Sequence, residues 1–338
     1  MARAKIPENQ NGKPYLSIVV TARNDNYGYN FLFRAQNFLD NLASLCEKYK
    51  LPSELIFVEW NPPKDRDRLW KSIRIPGHRK FLRIRFIEVP LKIHRKFNDS
   101  EKFPLFEYIG KNVGIRRADG EFVLITNPDL IFSEELVKFL SRRALMNDCF
   151  YRAYRFDMEE YLPEGLTPEK AIDFCRKNWR LSRGVFFKGI RLRKFSLREI
   201  RNKIGIIKLN ARCFLYEIFN PGRKYLRYGW GDPAGDFTMM SKESWIRFWG
   251  FPEFTVPSNG VDGYGVILAA ASGLKMVKLG KKLRIYHQFH ERPFSGKIKW
   301  DMEEFIKNAN KMLVEKKAVR LNDEKWGLAG IKLKEKRF

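Results

Sequence analysis

Seven polar residues stand at or just past the ends of short apolar runs: Arg23, Asn24 and Asp25 after LSIVVT (16–21), Glu59 and Asn61 around the end of ELIFVEW (54–60), and Asn127 and Asp129 after EFVLIT (121–126). Carboxylates, amides and a guanidinium gathered in this way can hydrogen-bond a polar ligand, hold a cation or bind phosphate. Each of them alone reads first as an ordinary turn residue or helix cap. Near the other end, two of the four histidines, His287 and His290, lie three residues apart in YHQFHERP. A neutral imidazole is a good transition-metal ligand, although two unrelated surface or core histidines would give the same spacing.

The elements that must carry these residues are legible from periodicity. The runs 16–21 and 54–60 are nearly continuous and rich in β-branched residues, as in strands buried on both faces of a parallel sheet. IRFIEVP (84–90) and EFVLIT read as a third and fourth strand. From Phe31 to Tyr49 apolar residues recur at steps of three and four, the mark of an amphipathic helix. Pro104 to Ala118 suits a second helix, with the proline in its first turn and Gly120 as terminator. Alternating strands and helices predict an α/β, Rossmann-like, doubly wound sheet, in which ligands bind outside the carboxyl ends of the strands. That rule is what singles out the seven residues above.

The chain has 338 residues and a formal charge of +26, and its 44% hydrophobic content excludes a disordered polycation. Sixteen Lys and Arg against two Glu lie between Arg176 and Arg227, so about half of the excess sits in one stretch. The four cysteines are scattered without a CxxC pair, which points to a reducing compartment and no structural metal cluster. No apolar run reaches the roughly 20 residues of a spanning helix, and the opening MARAKIPENQNGKP lacks the apolar stretch of a signal peptide. There is no GxGxxG after the first strand and no GxxxxGK[ST], which argues against dinucleotide and P-loop chemistry.

Taken together, LSIVVTARNDN (16–26), ELIFVEWNPP (54–63), KNVGIRRADGEFVLITNPDLIFSEEL (111–136), GDFTMMSKESWIRFWGFPE (235–253), VDGYGVILAAASGL (261–274) and YHQFHERP (286–293) resemble a GT-A fold, family 2-like glycosyltransferase. The most specific piece is Asn112, Gly114, Ala118, Gly120 and Glu121, matching N-x-G-x-x-x-A-x-G-E, followed by a strand and Asn127-Pro128-Asp129 in place of D-x-D. The resemblance implies a nucleotide-diphosphate sugar donor, a hydroxyl acceptor on a glycan or lipid-linked glycan, and Mn²⁺ or Mg²⁺. Asp129 and His287 would bind the metal. Thr21, Arg23, Asn24, Asp25, Glu59, Asn61, Asn112, Arg116 and Asn127 would surround the donor. Asp262, with Val261 where the family has Glu, would be the general base of an inverting reaction. Asp236 is the rival base and Asp232 a third. The structural alternatives are a helix start at Ser133 and Glu134 for the 127–129 turn, a helix cap for Asp262 and a solvated helical arginine for Arg116.

The expected organisation is a nucleotide-sugar-binding half (1–156), a basic, mainly helical insert (157–227), an acceptor-binding and catalytic half (228–295) and a C-terminal helix with a basic tail (296–338) that frays into solvent. Within the insert, arginines mix with Phe174, Trp179, Phe186, Phe187 and Phe195. That composition suits a membrane-surface anchor, a cradle for an acidic glycan or donor phosphate, or a plain solvated face. The expected setting is the cytoplasmic side, with peripheral attachment to the inner membrane face under the anchor reading. From a different class, a non-catalytic basic protein binding nucleic acid or anionic membrane on the same scaffold would share the charge. No zinc finger, RNP motif or KH-type GxxG supports nucleic acid as the partner.

Overall fold

A computed structural model of the chain describes residues 12–181, 234–256, 260–291 and 302–338. Asp232, Cys213 and most of the basic insert lie outside the described residues. The strands are β1 (Leu16–Ala22), β2 (Ser53–Trp60), β3 (Leu82–Val89), β4 (Phe122–Ile125), β5 (Leu130–Phe132), β6 (Cys149–Arg152), β7 (Tyr154–Met158), β8 (Trp179–Leu181), β9 (Thr238–Ser241), β10 (Lys275–Lys278), β11 (Arg284–His287) and β12 (Lys334–Arg337). The helices are α1 (Phe31–Tyr49), α2 (Leu69–Ser72), α3 (Leu91–His94), α4 (Glu107–Arg117), α5 (Glu134–Leu140), α6 (Pro168–Lys177), α7 (Lys242–Arg247), α8 (Val261–Ala271) and α9 (Met302–Glu315).

The chain forms the expected mixed α/β, doubly wound sheet. Its eight strands run in the order β10-β6-β9-β4-β1-β2-β3-β12. β1 pairs in parallel with β2 and β4, and β2 with β3. Every residue of β1 and β2 is buried, because α1 covers one face and α4 the other. On the α1 side Phe38, Phe57 and Phe132 pack edge to face, and on the α4 side Trp60, Trp245 and Phe251 anchor a second core. The family-like glycine Gly114 serves this packing, since a Cβ there would run into Val19 of β1. α4 can therefore approach the sheet backbone directly.

A second sheet, β5-β11-β7-β8, stands beside the first. Its register has functional weight: β11 is antiparallel to β5 with His287 opposite Leu130, and parallel to β7 with His287 opposite Asp157. The expected boundary at 156/157 thus cuts through β7, and the 157–181 part of the insert adds strands as well as the helix α6. Segments either side of the insert share one sheet, β9 sitting between β4 and β6.

Two further expectations are corrected. α4 begins at Glu107 and not at Pro104, because the Pro104 carbonyl accepts from Asn61 Nδ2 at 3.1 Å and the first helical bond runs from Gly110 N to Phe106 O. The basic tail does not fray: it adds β12 to the edge of β3. The cause is a buried ionic cluster. Glu54, fully buried on β2, accepts from Ser17 Oγ and from Arg85 at 2.8 Å, and Arg85 Nε reaches Glu335 on β12 at 2.7 Å. Glu54 needs that cation, so Arg85→Ala is expected to destabilise the protein by about 3–5 kcal/mol, read by denaturant unfolding. Lys332→Ala, on the exposed side, should stay within about 0.5 kcal/mol of wild type.

Cys46, Cys149 and Cys175 are buried free thiols. Among the described residues no helix is long and apolar enough to cross a membrane.

Candidate metal and carboxylate site

The carboxyl ends of β1, β2 and β4 and the start of β5 carry three groups of side chains. The first joins the ends of β1 and β2. Arg23 donates to the Asn61 carbonyl at 2.8 Å and pairs with Asp25 at 2.8 Å. Asn24 Nδ2 donates to the Asp67 carbonyl and to Ser72 Oγ, while its Oδ1 is buried without a hydrogen-bond partner. Glu59 accepts from Leu69 N at 3.0 Å. Burial pushes its carboxyl up to about 7, against the opposing pull of that bond and of Arg68.

That shift makes a stability prediction. Folded Glu59 holds its proton more tightly than the unfolded chain does, so its contribution is complete below about 4.5 and is lost as pH rises to about 7. Glu59→Gln, which keeps an acceptor for Leu69 N, is expected to gain on the order of 3 kcal/mol over wild type at pH 8 and nothing at pH 4. Urea unfolding at both pH values checks this.

The second group surrounds Asn127. Lys111 of α4, its side chain fully buried, donates to Glu107 at 2.5 Å, to Asn127 Oδ1 at 2.9 Å and to the Gly235 carbonyl at 3.1 Å. Asn127 Nδ2 donates in turn to Asp236 Oδ1 at 2.7 Å, and the other Asp236 oxygen accepts from Arg155. Asp262, in the first turn of α8, accepts from Gly235 N at 3.1 Å. Burial raises its carboxyl above the ordinary value despite backbone N–H bonds from Gly263 and Gly235.

The third group is the metal candidate. Asp129 Oδ2 lies 3.5 Å from Nε2 of both His287 and His290, and its Oδ1 is buried without a hydrogen-bond partner. These three residues form the one potential metal-holding cluster among the described residues, with donor atoms all within 4.8 Å of one another. Sheet register creates it: Gln288 N binds the Asp129 carbonyl across β5 and β11, so the histidines straddle the carboxylate. His290 Nδ1 lies 2.8 Å from the Glu291 carbonyl, which can only accept, so its Nε2 turns a lone pair to Asp129. Asp157 Oδ1 stands 3.5 Å from His287 Nδ1 and orients the second imidazole likewise. Burial would lift the Asp129 carboxyl, but the two imidazoles in their protonated, donating form and Arg34 outweigh it and hold it well below the carboxylate range; the neutral form of the histidines is the one that leaves Nε2 free for a metal. Arg155, bonded to both Asp157 and Asp236, ties this group to the second.

Arg34 also shapes the approach. Its guanidinium donates to the carbonyls of Tyr27, Gly28 and Tyr29, in a loop where Asn26, Gly28, Tyr29 and Asn30 all have positive φ. Gly28 cannot be replaced without strain, because a Cβ would meet His290 Nδ1 and the Glu291 carbonyl.

Of the residues expected from sequence, Asp129 and His287 meet, Asn24, Asp25, Arg23, Glu59 and Asn61 cluster, and Asp262, Asn127 and Asp236 cluster. Four of them have partners that the sequence does not announce. Asn112 lies fully buried, bonded to the Phe251 N–H and carbonyl and to Glu253, so it is a strut. Arg116 lies at the opposite end of α4 from Glu107, over the Trp326 ring and donating to its carbonyl. Thr21 spends its hydroxyl on the Glu107 carbonyl. Asp236 is ion-paired: burial would raise its carboxyl, but Arg155 and His287 hold it below the ordinary value. Asn127, with both ends of its amide engaged, braces the site.

Sequence reading missed Lys111, Asp157 and Arg155. Lys111 had a signal, a lysine directly before the Asn112 motif on a helix packed against the sheet.

No protein-family model matches the chain, and no curated protein does. Among solved structures, S. aureus TarS 1–349 is similar with a TM-score of 0.43 and 11% identity, over 81% of this chain and 60% of that one. GalNAc-T7, crystallised with UDP, GalNAc and Mn²⁺, gives a TM-score of 0.44 and 10% identity, over 85% of this chain and 45% of that one. The chain thus spans 60% and 45% of the lengths of these two structures.

Proposed function

We propose that the protein is a metal-dependent glycosyltransferase that moves a sugar from a nucleotide-diphosphate donor to a hydroxyl acceptor with inversion. The observation that carries this reading is the convergence of Asp129, His287 and His290 at the carboxyl end of the sheet, in the same bonded network as Asp262. The donor set fits a divalent cation: a carboxylate with an orphaned buried oxygen, facing two imidazole Nε2 atoms that would offer lone pairs in the neutral form. Two nitrogens favour Mn²⁺ over Mg²⁺, which prefers an all-oxygen shell. Such an ion, when bound, would offset the charge developing on a diphosphate leaving group.

The chain's own residues supply the rest. Asn24 Oδ1 offers a buried acceptor for a base or ribose donor group beside Glu59. Asp262, held at a helix start and raised by burial, takes the acceptor hydroxyl proton. Arg155 pairs with Asp236, so that this carboxylate stays a strut, while Asp262, hydrogen-bonded by backbone N–H groups, serves as the base. A screen of nucleotide sugars for Mn²⁺-dependent binding and slow hydrolysis tests the reading. It is abandoned if no nucleotide sugar binds with or without Mn²⁺.

A further inference from the structure

A separate concavity lies at the far edge of the main sheet. The start of β12 meets the end of β3, Lys334 opposite Glu88, and a pocket of about 520 Å³ opens between this corner and α3. Lys92, Lys96, Lys332 and Lys334 line it over an apolar floor that includes Ile93 and Leu333. Glu88 is the one acid in that lining among the described residues, and Arg68 occupies its carboxylate at 3.1 Å. None of the four lysines forms an ion pair among the described residues.

Four lysines without an ion-paired acid lining one cavity concentrate positive charge there, and an apolar floor focuses their field outward. An anion entering the pocket is attracted by that field. Lysine suits phosphate here as a point charge on a flexible stem, without the planar matching that arginine imposes. The volume falls within the range of about 300–1,000 Å³ usual for small-ligand sites. Three strand spacings separate β3 from β4, roughly 14 Å, so the pocket is distinct from the Asp129 site although both open at the same end of the sheet.

We propose that this pocket binds a small polyanion carrying at least two phosphate groups. The inference does not depend on the glycosyltransferase reading. Pyrophosphate in EDTA is the probe, measured by titration calorimetry on the full chain at low salt. Saturable binding is expected in wild type, in Asp129→Ala and in a control with Lys138→Ala and Lys311→Ala. Binding should weaken at least about tenfold when Lys92→Ala and Lys334→Ala are combined. All four replaced lysines are exposed, so these variants should fold. In wild type, pyrophosphate should also protect Lys92 and Lys334 from amine acetylation. Absence of saturable binding, equal loss in the Lys138/Lys311 control, or loss in Asp129→Ala overturns the proposal. Lysine-dependent capture by anionic-lipid vesicles without pyrophosphate binding also overturns it and marks the corner as a membrane contact.

Discussion

Asp129→Ala is expected to lower Mn²⁺ affinity by at least about 100-fold and donor turnover by about 10³-fold, with the fold retained. Asp129 is the only carboxylate of the cluster, so its loss leaves two neutral imidazoles without the charge that makes a divalent cation prefer this site to water. Asp129→Asn should behave the same way. Its amide is the same size, carries no charge, and donates to the very Nε2 lone pairs that a metal requires. Asp157→Asn gives a graded control. It leaves all three ligands in place and loosens only the orientation of His287, so metal affinity should fall by about 10–100-fold. Calorimetric Mn²⁺ titration of the four proteins, with circular dichroism to establish folding, decides the matter. A wild-type affinity retained in Asp129→Ala would remove the cluster from the mechanism.

The residues of this cluster show what local pattern reaches and where it stops. β1, α1 and β2 could be drawn from the sequence because burial on two faces leaves a continuous apolar run and burial on one leaves a 3.6-residue period. Asp129 could be singled out because it follows such a run. Asp157 could not. Its position beside His287 is set by a parallel pairing between strands about 130 residues apart, and nothing near either residue records that register. Arg155 and Asp157 sit on one face of β7 by simple alternation with Tyr154, Phe156 and Met158, but a five-residue alternation is too short to announce itself.

Asn112 and Arg116 pose the opposite difficulty. The run that carries the family resemblance is a packing device: Gly114 admits Val19, Gly120 sits against Ser17, and Asn112 clamps the 251–253 loop. A motif maintained by close packing looks the same on paper as one maintained by a ligand. The same confusion hid Lys111, which the helix buries in the site beside two residues that it uses only as scaffold. The tail was misjudged because the attraction between Glu335 and Arg85 is invisible until β3 presents a bare edge.

Asp262→Asn is expected to leave donor and metal binding within about twofold of wild type and to lower transfer by about 10²–10⁴-fold, the usual contribution of a positioned general base. The substitution preserves the acceptor oxygen that Gly235 N uses, so the start of α8 and the turn before Asp236 keep their shape. What disappears is the group that accepts a proton. Asp236 cannot take over, since both of its oxygens are engaged and its carboxyl is held at low proton affinity by Arg155. The two carboxylates therefore differ in environment more than in position, one desolvated with only backbone donors and one ion-paired. This difference fixes the sign of the pH dependence. Burial raises the Asp262 carboxyl, so the acid limb of kcat/KM should lie above the pH at which an ordinary aspartate titrates. Activity should rise with pH through that limb and then level. In Asp262→Asn the residual rate should lose the limb altogether. Comparing the two profiles, with kcat falling and KM for the donor unchanged, assigns the proton to Asp262. A limb of unchanged position in the variant would assign it elsewhere.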